Sequence, residues 1–414
     1  MPKQDIGADA AQAVSQLQGL DNQASADTSA FLRDLFAEAY RNHSNTGATV
    51  WGMRGPEGVA RTPSGVLVNS KDMVMQVFLD AGANYSVAGY NERAGKCFGP
   101  IYLGLDNGPE YERQARKVNA AIQRIGAAEA FTLALRETRK ALAAKPAADD
   151  ASVAVMVLAG ICTQWFDLPD ALNVVEGGMR FDAKPPGRCP GDFAFPSGYI
   201  FKPDPEQFLI TAGQALGNLL KAGVARFVAD LRAANKQPSG TISRIIFDAF
   251  PNGEDDLIAR TIIGVMMGML PTVNLNLINT MDVWRADGDK IFKALQVALK
   301  QQSSGDPYVR ASAVLARPMM QAMQAAPVPD AVWRTAVRDH TLGTQNPVAV
   351  RQGDKIYVSI VGATQEDLGA GVVDVMAVFG GDRKTMPHAT HACPGYEAAI
   401  GIMLGFLNGL LEPT

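Results

Sequence analysis

Two histidines and a cysteine crowd one short stretch near the C-terminus, His388-Ala389-Thr390-His391-Ala392-Cys393. A cysteine thiolate is both a nucleophile and a soft metal ligand. His-x-x-His-x-Cys could by itself supply three of the four ligands of a tetrahedral zinc site. Pro394-Gly395 follow, and then Ile400, Met403, Leu404, Leu407 and Leu411 recur at helical spacing, one apolar face of a buried helix. A cysteine at the mouth of such a helix faces backbone N–H groups and the positive end of the dipole, which favours thiolate over thiol. A zinc site would need a fourth ligand from a distance, for example Cys189 or Asp382, and only His43 and His340 remain as further histidines. A Ser or Cys hydrolase fares worse, because the chain has no Gly-x-Ser-x-Gly turn. It has no Walker-type phosphate loop either.

The elements that must position this cysteine are read along the chain. Residues Met1–Thr28 are polar and Ala/Gln-rich, a flexible leader without the apolar core of a signal peptide or anchor. A helical pattern starts at Ser29, followed by strand-like Thr49–Met53 and Gly65–Val68. Asn69-Ser70 offers an N-cap for a helix over Lys71–Leu79. A basic helix is expected over Arg113–Arg124, and further helices over Val153–Gln164, Pro205–Asn235 and Ile242–Phe250. A Pro/Gly-rich insert, Pro185 to Gly191, holds a second Cys-Pro-Gly at Cys189. The stretch Asp192–Gly198 with Pro196 is not expected to start a helix, so Cys189 reads as a loop residue.

Asn252, Glu254, Asp255 and Asp256 make a strong helix start. The apolar run from Leu257 to Trp284 is about 28 residues, roughly 42 Å of helix. Ile262, Ile263, Val265, Met266, Met267, Met269 and Leu270 leave it no polar face, so it must cross the centre of the fold. Pro271 inside it removes one N–H and frees the Met267 carbonyl, which kinks or widens the helix.

Composition adds bounds. The chain has 414 residues, 47% hydrophobic and 19% charged, with a net charge of −4. That is enough to bury a large core, and it gives no reason to expect nucleic acid or an anionic membrane as partner. No membrane anchor is expected. Four cysteines without regular spacing argue against a disulfide framework and for a reduced, cytoplasmic protein.

The cysteine stretch resembles the haem-binding loop of the cytochrome P-450 family, Phe-x-x-Gly-x-(His/Arg)-x-Cys-x-Gly-x-x-x-Ala. His391, Cys393, Gly395 and Ala399 match, whereas Met386 stands for Phe and Ala389 for Gly. Gly353 to Asp367 resembles the family's Gly-Asp-x-Val-x-x-Ser-x-x-x-Ala-Asn-Arg-Asp segment at most positions. The order of segments over roughly 380 residues agrees as well. The resemblance implies a mainly α fold with small β-sheets, a single haem domain over 29–414, and a long central helix over a haem b whose iron is held by Cys393. It also implies that His391, Arg334, Tyr111 and Gly395 contact the haem. The arginine usual four residues after Tyr111 is Ala115, and Arg116 is the nearby substitute. Met266, Met267, Leu270 and Val328 would form an apolar substrate pocket.

Two family signatures are missing. The helix before Pro327 shows Met320-Gln321-Ala322-Met323 and no Glu-x-x-Arg pair. The central helix places Leu270 and Pro271 at the acid and alcohol that relay protons in oxygen activation. Thr272 and Asn274, beside the Pro271 kink, are the nearest polar replacements. A thiolate ligand pushes electron density through iron and favours O–O cleavage. Without the relay, the resemblance implies a haem-thiolate oxidoreductase that uses a peroxide or rearranges a fatty-acid hydroperoxide, with Asn274 binding the hydroperoxide. The alternatives are a dioxygen-dependent monooxygenase fed by a ferredoxin and reductase, and a haem-binding protein without turnover. In each enzyme reading the substrate is a lipophilic small molecule.

Overall fold

The computed structural model describes residues 55–412, apart from 81, 169–189, 206, 251–252, 303–304 and 387. The expected leader, the helix from Ser29, the strand at Thr49–Met53 and Cys189 lie outside the described residues. Within them, β1 (Val59–Thr62) and β2 (Gly65–Val68) precede α1 (Lys71–Phe78), β3 (Tyr85–Ser86), α2 (Ala88–Ala94) and α3 (Pro109–Ile122). Then come α4 (Ala127–Ala144), α5 (Asp150–Phe166), α6 (Pro190–Phe201), α7 (Gln207–Ala233), α8 (Thr241–Ala249), α9 (Asp255–Gln301) and α10 (Pro307–Ala325). The chain continues as β4 (Ala331–Ala336), β5 (His340–Leu342), β6 (Val348–Val350) and β7 (Lys355–Ser359). It closes with α11 (Ile360–Gly369), the single turn α12 (Met376–Phe379) and α13 (Tyr396–Leu411). The mainly α architecture with small sheets is as expected.

Local chemistry accounts for the element boundaries. Ser70 caps α1, its hydroxyl accepting from the Met73 N–H. Ser359 caps α11 in the same way through the Gly362 N–H. Five strands form one sheet in the order β1-β2-β7-β4-β3. In it β7 runs parallel to β2 and antiparallel to β4, with Arg334 opposite Ile356. Val66, Val68, Ile356 and Val358 bury its inner face.

The central helix α9 is longer than its apolar run. It is broken at Gly288 and Asp289, whose φ values are 76° and 64°, so the first straight piece ends at Ala286. Ile262, Ile263, Met266, Met267 and Leu270 are all fully buried. This piece is long and apolar enough to cross a membrane, yet 67% of its most apolar window is buried inside the protein. It is the core helix of this fold.

One local expectation is corrected. A helix, α6, does form over Pro190–Phe201 with Pro196 inside it. The hydrogen bond lost at Pro196 is outweighed by burial of Phe193, Tyr199 and Ile200. Where Glu-x-x-Arg was sought, α10 buries two amides three residues apart, Gln321 and Gln324. Gln324 Nε2 donates to the Val372 carbonyl at 3.1 Å, and Gln365 Nε2 donates to the Ala325 carbonyl at 3.2 Å. Amide hydrogen bonds thus tie α10 to α11 and to the segment after it.

The helix that follows the cysteine is locked against α4. Gly401, Gly405 and Gly409 sit one turn apart on α13, where a Cβ would lie 2.2 Å from the Ala127 oxygen, 2.4 Å from the Phe131 oxygen and 2.6 Å from Thr138 Cγ2. Only glycine permits this approach of the two helices.

Candidate active site

The Pro271 region of α9 and the cysteine loop face each other across a cavity of ≈ 850 Å³. Met267, Gly268, Pro271, Thr272 and Asn276 line one wall, and His391, Cys393, Pro394 and Gly395 line the opposite one. Val328 and Arg334 line it from β4 and the segment before it, and Ser197 and Phe201 from α6.

Cys393 is held by its backbone, whose N–H donates to the Phe379 carbonyl of α12 at 2.8 Å. Its side chain is exposed to the cavity. The cavity lies deep in the molecule, so burial pushes the thiol pKa up, against the opposing pull of the Gly395 N–H and the Arg383 charge. The expected help from the helix mouth is therefore present, but desolvation outweighs it. Gly395 is the N-cap of α13 and Tyr396 its first helical residue, so Cys393 stands just outside the helix. Such a cysteine becomes thiolate when a metal cation binds it.

Three nitrogen-bearing side chains share this end of the cavity. Arg334 Nη1 donates to Tyr90 Oη at 2.7 Å and to the Trp333 carbonyl at 2.8 Å. Arg383 Nε donates to the Ala392 carbonyl at 2.5 Å, and its Nη2 donates to Tyr111 Oη at 3.1 Å. Among the described residues neither guanidinium has a carboxylate partner. His391 stacks 5.1 Å from the Tyr111 ring. Burial, then the charges of Arg334 and Arg383, pushes its pKa down to about 3. It is a neutral imidazole with one N–H to give.

The expected residues fall into two sets. Cys393, His391, Gly395, Arg334, Tyr111, Pro271, Thr272, Met267 and Val328 all line the cavity. Asn274, Met266, Leu270 and Arg116 do not. Asn274 lies on another face of α9, and the asparagine that reaches the cavity is Asn276, one turn after Thr272. Its Nδ2 donates to the Thr272 carbonyl at 2.9 Å and the Val328 carbonyl at 3.4 Å. These two carbonyls fix the amide orientation and leave Oδ1 buried without a partner. Met266 and Leu270 are fully buried in the core behind the wall. Arg116 is exposed on the outer face of α3, while Tyr111, Ala115 and Val118 form the inner face. Arg383, which sequence reasoning missed, is the second guanidinium of the cavity, which Lys202 also lines. The zinc alternative lacks its ligands: His388 is exposed, and among the described residues no three His, Cys, Asp or Glu side chains gather around a common point.

A haem would find what it needs here. It is a flat apolar ring with two carboxylates and an iron that takes an axial ligand. The cavity offers apolar walls, one thiol, and two guanidiniums whose charge no carboxylate among the described residues neutralises. An unneutralised cation pair beside an apolar cavity is costly unless an anion completes it. The donor set fits the group.

Comparison with solved structures agrees. The fold matches P450BioI in complex with an acyl carrier protein ligated with hexadec-9Z-enoic acid at a TM-score of 0.62 and 13% identity, covering 91% of this chain and 92% of that one. It matches the P450 haem domain of Tepidiphilus thermophilus at 0.62 and 12% identity, covering 90% and 87%. It matches CYP109Q5 of Chondromyces apiculatus at 0.63 and 13% identity, covering 91% and 89%. No protein-family model and no curated protein sequence matches the chain. The chain has the cytochrome P450 fold, in a sequence that has diverged far from these neighbours.

Proposed function

We propose that the protein is a haem-thiolate oxidoreductase acting on a lipophilic small molecule. The observation that carries this is the Cys393 thiol opening onto an apolar cavity lined by two guanidiniums, Arg334 and Arg383, that lack protein carboxylates among the described residues. Haem bound through Cys393 would supply oxidising chemistry at an iron made electron-rich by sulfur. The chain's own residues do the rest. Arg334, Arg383 and His391 hold the carboxylates, and Met267, Val328 and Phe201 keep water away from the reacting end of the substrate.

The α9 wall bears on the oxygen source. Leu270, at the position of the relay acid, is fully buried away from the cavity, and Asp330 is the one acidic residue among the described lining residues. No carboxylate of α9 can therefore deliver a proton to the cavity. This supports use of a ready-made peroxide or rearrangement of a hydroperoxide, reactions that need no such delivery. A long-chain acyl substrate is consistent with the apolar lining and with the acyl group carried in the P450BioI complex. The second reading, dioxygen-dependent monooxygenation with a ferredoxin and reductase, is favoured by one observation. Thr272 and Asn276 both line the cavity, and their hydroxyl and amide could pass protons from water.

The test is a carbon-monoxide difference spectrum of the reduced protein. A red-shifted thiolate-type band, absent in Cys393→Ala, is expected; protein that stays colourless when supplied with haem overturns the reading. Turnover with a fatty-acid hydroperoxide alone, against turnover only with ferredoxin and reductase, separates the two enzymes. A haem-loaded protein inactive in both would be a carrier.

A further inference from the structure

Resting on the haem reading above, the hydrogen bonds around Tyr111 bear on the role of the second guanidinium, Arg383. The resemblance implied that Tyr111 contacts the haem. A phenol has one hydrogen, and here it goes to the Thr390 carbonyl at 2.7 Å. The oxygen accepts from Arg383 Nη2 at 3.1 Å and from Asn119 Nδ2 at 3.4 Å. Its donor is spent inside the protein, so it has nothing left for a ligand.

Arg383 is placed differently. Its Nε and Nη2 are fixed by Ala392 and Tyr111, and its Nη1 has no partner among the described residues, while the side chain lines the cavity. Two anchored nitrogens and one free end describe a guanidinium that is held in place and still has donors for an incoming anion. On α3, the inward position four residues after Tyr111 is Ala115, fully buried, and Arg116 and Lys117 point outward.

We propose that Arg383 is a carboxylate clamp of the haem site, supplied by the segment leading into the cysteine loop in place of an inward-facing arginine on α3, where position 115 is alanine. Tyr111 is the positioning residue that holds it. Because Arg383 is bonded to the residue before Cys393, the carboxylate anchor and the iron ligand belong to one rigid loop.

The experiment follows haem release from the holoprotein to excess apomyoglobin, using haem and its dimethyl ester, in which both carboxylates are blocked. Arg383→Gln should release haem at least about tenfold faster than wild type, as expected for loss of a charge-assisted hydrogen bond. Arg383→Lys should recover part of that loss, and Arg116→Gln should match wild type. Tyr111→Phe should speed release, but add nothing in an Arg383→Gln background, because both changes remove the same clamp. With the dimethyl ester, wild type and Arg383→Gln should release at equal rates. Wild-type rates for Arg383→Gln with haem overturn the proposal. So does an Arg383→Gln defect of equal size with the ester, which would show a structural role. Either result leaves the haem reading standing if the thiolate band persists, whereas wild-type protein that takes up no haem overturns both.

Discussion

Replacing Gly401 by alanine tests whether the contact between α13 and α4 requires glycine. The added Cβ would stand 2.2 Å from the Ala127 oxygen and 2.9 Å from its Cα and carbonyl carbon. All three are backbone atoms, so no side chain can turn away, and the helices must part by roughly 1 Å to reach ordinary contact. Overpacking of this kind costs about 1–3 kcal/mol, and the obstacle being backbone favours the upper end. Against it stands a gain of about 1 kcal/mol in helix propensity for Gly→Ala. The net expectation is a loss of roughly 1–2 kcal/mol. Gly264 is the matched comparison: it lies inside α9, and its added Cβ would meet only Ile101 side-chain atoms, at 3.5 Å or more. There the propensity gain should stand almost alone, so Gly264→Ala should be neutral or more stable by up to about 1 kcal/mol. Urea midpoints measured on both variants and wild type under one condition give the comparison. The reasoning is refuted if Gly401→Ala proves as stable as Gly264→Ala.

Other expectations test the site and its surroundings. Asn276→Asp would set an oxygen against the Thr272 and Val328 carbonyls and should destabilise by about 2 kcal/mol or more. Asn276→Leu loses those bonds but also removes the unpartnered buried Oδ1, so it should cost less; the opposite order in denaturation would show the amide to be oriented the other way. Glu57 accepts from the backbone N–H groups of Thr344, Gln345 and Asn346 and from the Thr344 hydroxyl. The Asn346 N–H first, then the Thr344 hydroxyl, pull its pKa down from 4.5 to about 2. A carboxylate pKa depressed by folding stabilises above the unfolded value and loses that contribution as pH falls through the folded value. Amide protection at 344–346 should therefore hold at pH 6 and fade near pH 2, and Glu57→Gln should weaken it at pH 6. Unchanged protection in that variant would mean the turn does not depend on Glu57.

The parts of this structure that were legible in the sequence are those with a local cause. Cys393 before Pro-Gly and an apolar helix, Arg334 in a strand, and the proline in the central helix all landed on the cavity wall. The central helix itself was legible, but not its phase. Ile262, Ile263, Met266, Met267 and Leu270 are buried on every side, so hydrophobicity marks no face, and only the neighbours decide which residue meets the cavity. At about 100° per residue, Asn276 returns to within roughly 40° of Thr272, whereas Asn274 is about 160° away. Arg116 was open to correction from sequence, since Tyr111, Ala115, Val118 and Ile122 trace the inner face of an amphipathic helix and Arg116 falls on its opposite side. Arg383 was not. It reaches the cavity through irregular backbone between α12 and the cysteine, where no periodicity says which way a side chain points.

The place of α13 in the chain has a consequence for how the molecule is made. During synthesis α9 emerges with an apolar surface of membrane-spanning length, long before α13 follows it. α13 packs against α4, α9 and α10, so part of that surface stays uncovered until the final described helix arrives. The nascent chain therefore carries an aggregation-prone intermediate from the end of α9 until α13 is made. Holding that state soluble becomes a task for chaperones, and expression yield should respond more sharply to changes in α13 than its 16 residues would suggest.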